Sequence, residues 1–210
     1  MFDEELIFAR YPELLSCRAD MGKAGAALIS AARQNKKILV CGNGGSAADS
    51  EHIVGELMKG FLLKRELDEQ EKKAWRDAYG SDDENVLNSL QHGIRAISLP
   101  SQVGICSAFI NDRNPKALYA QLAYTYAEKG DLLLCITTSG NSENTLLAAK
   151  AAKLKGALVL GLTGERESRL SAVADICIKA PASETYRVQE YHLPIYHWLC
   201  AVAEKALFEG

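Results

Sequence analysis

The sequence predicts an α/β fold: a three-layer αβα sandwich around a five-stranded parallel sheet. Three observations carry this. Five short β-type runs are almost continuously apolar, as strands buried on both faces must be. Helical patterns separate most of them, so each return to the sheet crosses over it. At 210 residues the chain is long enough for one domain with a sizeable core.

The elements follow in order. Two helical patterns, about 3–15 and 17–34, precede the first strand and form an N-terminal extension over 1–35. The strands are read at "KILVC" (37–41), "IRAISL" (94–99), "DLLLCIT" (131–137), "ALVLGLT" (157–163) and "DICIKA" (175–180). Helices are expected over 46–60, over 101–109 with 115–128, and over 142–155. A short piece, about 166–173, joins the last two strands, and a long helix over 184–208 closes the chain. Residues 63–93 interrupt the rhythm with a strongly charged insertion holding one helical piece near 67–78. It reads as a solvated excursion, with a lid or subunit contact anchored by Trp75 and Tyr79 as the alternative.

Composition narrows the function. The formal net charge is −3, which disfavours nucleic acid as a main ligand. No run is apolar enough to span a bilayer, and "MFDEELIFARYPELL" lacks the layout of a signal peptide, so no membrane role and a cytoplasmic location are expected. The six cysteines contain no CxxC pair and read as free thiols of a reducing compartment.

Open parallel sheets bind ligands beyond the carboxyl ends of the strands, where strand order reverses. In a flavodoxin-like order 2-1-3-4-5 that point lies between the first and third strands. The loops there are "CGNGGSAAD" (41–49) and "ITTSGNSENT" (136–145), which should face each other. The first has neither the spacing of a dinucleotide fingerprint nor a P-loop lysine. Its glycines serve a turn or a close ligand equally well. The second packs Thr137, Thr138, Ser139 and Ser142 around Gly140 and Asn141 at a helix start. One cap needs one such residue; four hydroxyls with free N–H groups and the helix dipole make a neutral cradle for a phosphate dianion.

His52 and Glu56 lie four apart, on one face of the helix leaving the glycine loop. The C-terminal helix adds Gln189, Glu190, His192 and His197 in "YRVQEYHLPIYHWLC". Imidazole, carboxylate and amide oxygen together suit a borderline divalent metal such as zinc.

Together, "CGNGGS", "EHIVGEL", "AFIND", "KGDLLLCITTSGNS", "GLTG" and "RVQEYHLPIYH" resemble the sugar isomerase (SIS) domain, and within it the phosphoheptose isomerase family. The likeness spans about 30–58 and 94–208. It implies a single SIS domain over 1–210 and an aldose–ketose isomerase that converts sedoheptulose 7-phosphate to D-glycero-D-manno-heptose 7-phosphate through an enediol. It also implies a homotetramer with active sites at subunit interfaces and one Zn2+ per site. The family's metal ligands fall on His52, Glu56, Gln189 and His197. Its sugar-phosphate contacts fall on Asn43, Gly44, Gly45, Ser46, Glu56, Asn111, Asp112, Thr137, Thr138, Ser139, Ser142 and Gln189. Its acid–base pair falls on Glu56 and His197. The residue types suit that chemistry independently, since an enediol route needs a base at carbon and an acid at oxygen.

The chain departs from the family's pattern at substrate-side positions. "LMKGF" (57–61) puts Gly60 where an arginine is usual, and Tyr186 stands where an aspartate is usual. The insertion at 63–93 is longer than the usual connection, and "GERESRL" (164–170) lacks a second glycine pair. Two other functions therefore stand beside the first: an isomerase of another ketose phosphate, and a non-catalytic SIS protein that senses a sugar phosphate or binds a partner. Gln189 and His197 also raise a geometric question. Eight residues along a helix rise roughly 12 Å and turn about 80°, so both reach one metal only at full stretch. Either Pro194 loosens the helix, or one ligand comes from a neighbouring chain.

Overall fold

Alternate residues of the strands feed two separate cores. Ile38 and Val40 of the first strand join Leu132 and Leu134 in the larger one, whereas Leu39 and Cys41 join Leu133 and Cys135 in the other. This period of two, apolar on both faces, is what the sequence displays as unbroken hydrophobic runs. A computed structural model of the chain describes residues 5–209.

The sheet comprises β1 (Ile38–Cys41), β2 (Ala96–Ser98), β3 (Leu132–Ile136), β4 (Leu158–Gly164) and β5 (Ile176–Ala180). Its order is β2-β1-β3-β4-β5 and every pairing is parallel. The register sets Cys41 beside Cys135. All six cysteines are free.

Helix α2 (Arg18–Arg33), α3 (Gly45–Met58) and α9 (Thr185–Phe208) cover one face through Met21, Leu28, Ile53, Leu57, Ile195 and Leu199. Helices α7 (Leu118–Tyr126) and α8 (Glu143–Leu154) cover the other through Leu122, Ala148 and Ala152. Helix α9 continues through Pro194 without interruption.

The N-terminal segment is more broken than its periodicity predicts. In place of one helix over 3–15, whose first two residues lie outside the described residues, there is α1 (Leu6–Arg10) and then a 3-10 helix, Pro12–Cys17. Pro12 explains the break: it bars α geometry to the residue before it, and Tyr11 has φ −129° and ψ 73°. A second difference lies at 166–173, where hydrogen-bonded turns replace the expected helical piece. Ser168 Oγ accepts from Ser171 N at 3.2 Å and Ser171 Oγ from Ser168 N at 2.9 Å, so serine side chains compete with the helical backbone pattern.

The insertion folds into α4 (Glu69–Tyr79) and a single turn, α5 (Glu84–Leu87). Asp68 and Glu71 form a capping box at the start of α4. Trp75 and Tyr79 stack edge to face on each other, and Tyr79 is exposed. The insertion is anchored at its root. Arg65, buried, donates through Nε to Glu204 of α9 at 2.8 Å and through Nη1 to Leu57 O at 2.7 Å. Glu204 also accepts the backbone N–H groups of Phe61, Leu62 and Leu63 at 2.7, 2.6 and 3.0 Å. One buried carboxylate thus folds the chain leaving α3 onto α9.

Helix α6 (Val103–Asp112) behaves differently. It is apolar, yet none of its residues is buried, and Val103 is 75% exposed. No described helix is long and apolar enough to cross a membrane.

Candidate active site

The two loops predicted to face each other do so at the reversal point between β1 and β3. Asn43 Nδ2 donates to Asn144 Oδ1 at 2.9 Å, and Asn144 Nδ2 returns a bond to Asn43 Oδ1 at 2.8 Å. Tyr119 pins the first loop from the α7 side by donating to Gly42 O at 2.9 Å. Gly44 is the turning point, with φ +56° and open space around it. Gly45 is small for a different reason: a Cβ there would lie 2.5 Å from Gln189 Nε2, so α9 packs directly on the start of α3. Ser46 is buried beneath the loop.

In the second loop Ser142 stands at the N-cap position of α8, but its hydroxyl makes no capping bond. It meets Thr137 Oγ1 at 3.0 Å instead. Asn144 supplies the first-turn bond, accepting from Thr145 N at 2.9 Å. Gly140 (φ +66°) lets the loop turn under Ser168, whose Oγ would lie 2.1 Å from any added Cβ. A cavity of about 160 Å³ opens beside this loop, lined by Thr138, Ser139, Asn141, Gly164, Arg166 and Ser183. Asn111 and Asp112 are exposed at the end of α6, where Asn111 Nδ2 donates to Asp112 Oδ1 at 2.8 Å.

The second cluster lies farther along α3. His52 Nε2 is 3.3 Å from Glu56 Oε1 and 3.4 Å from His197 Nε2. Lys59 Nζ holds the other Glu56 oxygen at 3.0 Å. Phe61 lies against the His197 ring, centroids 5.5 Å apart, on the loop that Glu204 ties down. Partial burial draws the His197 pKa below its ordinary value and His52 adds to this, while Glu56 opposes both. Behind His52, Tyr196 Oη lies 3.0 Å from Nδ1 and 3.3 Å from Asp49 Oδ1. Burial raises the Asp49 pKa, against the Tyr196 bond and His52.

The structure therefore brings His52, Glu56 and His197 together. These meet pairwise at His52 and do not close into a group of three metal-holding His, Cys, Asp or Glu side chains among the described residues. Gln189 lies against Gly45 in the first turn of α3, and Gly45 precedes His52 by seven residues, roughly 10 Å along the helix axis. His192, noted with the other histidines in sequence, is a core residue: it is fully buried, with Nε2 3.2 Å from Thr163 O and Nδ1 without a partner. Sequence reasoning missed Asp49, Lys59, Phe61 and Tyr196. Asp49 sits three residues before His52 on the same face of α3, a readable signal, and Lys59 follows Glu56 by three just past the end of that helix; Tyr196 and Phe61 reach the site only through tertiary packing.

Models of the SIS domain match residues 16–80 and 116–196. The chain is 33% identical over 182 residues to phosphoheptose isomerase of Aneurinibacillus thermoaerophilus, covering 87% of this chain and 79% of that protein. It is 34% identical over 185 residues to phosphoheptose isomerase 2 of Campylobacter jejuni, covering 88% and 79%. A phosphoheptose isomerase structure from Francisella tularensis superposes with a TM-score of 0.73 at 25% identity, over 98% of this chain and all of that one. Paired loops, a histidine–glutamate cluster on α3 and α9, and this identity over most of both chains lead to one conclusion: the chain belongs to the phosphoheptose isomerase family of SIS-domain proteins.

Proposed function

We propose that this protein is a single-domain aldose–ketose isomerase of the cytoplasm that converts sedoheptulose 7-phosphate to D-glycero-D-manno-heptose 7-phosphate. The observation that carries the reading is the shared helix α3: its first turn borders the hydroxyl-rich loop, and its later turns hold His52 and Glu56 against His197. Thr137, Thr138, Ser139 and Ser142, with the N-terminus of α8, receive the phosphate as neutral donors. Asn43, Gly44, Gly45, Ser46, Asn111, Asp112 and Gln189 contact the sugar.

Glu56 takes a proton from C1 of the ketose while His197 gives one to the C2 carbonyl oxygen, which yields the enediol. The Glu56 carboxyl then returns its proton to C2, and His197 takes the proton from the C1 oxygen, leaving the aldose. A neutral imidazole serves as the acid at oxygen, in keeping with the lowered His197 pKa. The donor types of His52, Glu56, His197 and Gln189 suit one zinc ion. When bound, zinc would polarise the carbonyl and stabilise developing negative charge.

We assign the active sites to the interfaces of a homotetramer. Two findings support this: Gln189 packs against Gly45 at the start of α3, about two turns before His52, and α6 leaves an apolar face uncovered. Mixing an inactive His52 variant with an inactive Gln189 variant tests the sharing, since His52 and His197 meet within one chain; hybrid oligomers without recovered activity overturn it. The function itself is tested by incubating the protein with a panel of ketose phosphates and following products by NMR. Turnover of sedoheptulose 7-phosphate above the others is expected. Turnover of another ketose phosphate reassigns the substrate, and binding without turnover makes the protein a sensor.

A further inference from the structure

Lys59 is the first residue past α3, and its ammonium lies 3.0 Å from Glu56 Oε2. A pair three residues apart on a helix is commonly a surface contact worth little. Helix spacing does not produce this one, because Lys59 has left the helix in an extended conformation, φ −134° and ψ 173°. The chain just beyond it is tied down instead. Gly60 N donates to Gln91 Oε1 at 2.6 Å and Phe61 N to Glu204 Oε1 at 2.7 Å. The Lys59 side chain is 60% exposed and that of Glu56 15%, so an open ammonium caps a largely covered carboxylate.

The donors of this ammonium outnumber its partners. It has three N–H groups. Glu56 Oε2 takes one and Gly60 O, at 3.3 Å, a second. The third has no protein acceptor among the described residues and is open to solvent or a ligand. Arg65, the other cation close by, is buried and committed to Glu204 and to the carbonyls of Leu57 and Glu56. Lys59 is therefore the cation that a ligand at the Glu56 carboxylate meets.

In the proposed reaction negative charge leaves Glu56 as it takes the carbon proton and builds on the substrate oxygens. A base works at roughly 3 Å from the reacting group. A cation seated on the other oxygen of that base is one side-chain adjustment from the oxygens on C1 and C2. Its pull on Glu56 fades as its pull on the substrate oxygen grows, which is stabilisation specific to the transition state.

We infer that Lys59 is a further catalytic residue, whose uncommitted N–H donates to a C1 or C2 oxygen of the bound ketose phosphate and stabilises the enediolate while keeping its proton. This role rests on the isomerase reading of the site.

Lys59→Met keeps the apolar stem and removes the charge, at an exposed position where folding is little affected. Turnover of sedoheptulose 7-phosphate should fall roughly 10²–10³-fold. Calorimetric affinity for the same sugar phosphate should change little. Lys59→Arg keeps the charge and should recover part of the rate. A six-carbon aldonohydroxamate 6-phosphate supplies the readout that a structural role would not move, since its N–O and C–O groups stand for the two enediolate oxygens. At equal zinc content, Lys59→Met should bind it roughly 10–100-fold more weakly than wild type.

Three results overturn the role of Lys59 alone. Near-normal turnover in Lys59→Met makes the contact a surface pair. Slow turnover with undiminished hydroxamate affinity makes Lys59 a prop for Glu56. Equal losses of affinity for sugar phosphate and hydroxamate make it a ground-state binding residue. A wild type that turns over no ketose phosphate is a different failure: it overturns the isomerase reading, and the catalytic role of Lys59 with it.

Discussion

Asn43 and Asn144 join the two cleft loops by a reciprocal pair of amide hydrogen bonds, 2.9 and 2.8 Å long, across 101 residues of sequence. The pair fixes the spacing between the glycine turn and the hydroxyl-rich loop, and so the width of the proposed phosphate site. Asn144→Ala removes both bonds and the Thr145 N–H acceptor. A loss of about 1.4 kcal/mol in ground-state binding would raise KM for the sugar phosphate about tenfold with kcat little changed. Steady-state kinetics check this, and a fall confined to kcat would contradict it.

Glu56 is held by His52 on one oxygen and Lys59 on the other, leaving the carboxylate aimed at the cluster. Glu56→Gln keeps the shape and removes the base. Turnover should fall by roughly 10²–10⁴-fold. Binding of the sugar phosphate, followed by calorimetry, should remain measurable. Near-normal turnover would remove Glu56 from its role.

Glu204 is 1% exposed and answers three backbone N–H groups and Arg65. Burial pushes its pKa up, but the Phe61 and Leu62 N–H bonds and the Arg65 guanidinium outweigh this and leave it below the ordinary value. A lowered carboxyl pKa contributes stability that is fully present above the unfolded value and lost as pH falls through the folded one. Glu204→Gln strands the Arg65 charge in the core and should cost about 3–5 kcal/mol in denaturant unfolding. It should also release Phe61 from His197, so activity should fall in molecules that remain folded.

His192 has a pKa lowered from 6.5 to about 4, by burial that its Thr163 bond only partly offsets. Between those values the unfolded chain binds a proton that the folded chain refuses. Stability therefore falls as pH drops through this window, by roughly 3 kcal/mol in all. His192→Leu should flatten the pH dependence of the unfolding midpoint there. An unchanged slope would show that other groups set the acid limit.

The strands were legible because burial on both faces leaves no polar position in them; every predicted strand matches an observed one to within two residues at either end. The insertion helix, read near 67–78, lies at Glu69–Tyr79. Failures came where local signals compete. Tyr11–Pro12 broke a helix that hydrophobic periodicity carried through, and serines at 168 and 171 turned a helical pattern into turns. At the site, loop chemistry and the His52–Glu56 spacing were readable because each lies within one helical turn or one loop.

Sequence alone determined the parallel sheet and the hydroxyl-rich loop, and it singled out His52, Glu56 and His197 as candidates, since these rest on residue type, short-range periodicity and motif resemblance. Only the tertiary structure decided which side chains meet. It set His197 beside His52, left Gln189 at Gly45, buried His192, and slipped Tyr196 between His52 and Asp49. Those outcomes depend on how α9 lies against α3, and packing of helices more than a hundred residues apart is written in no local pattern.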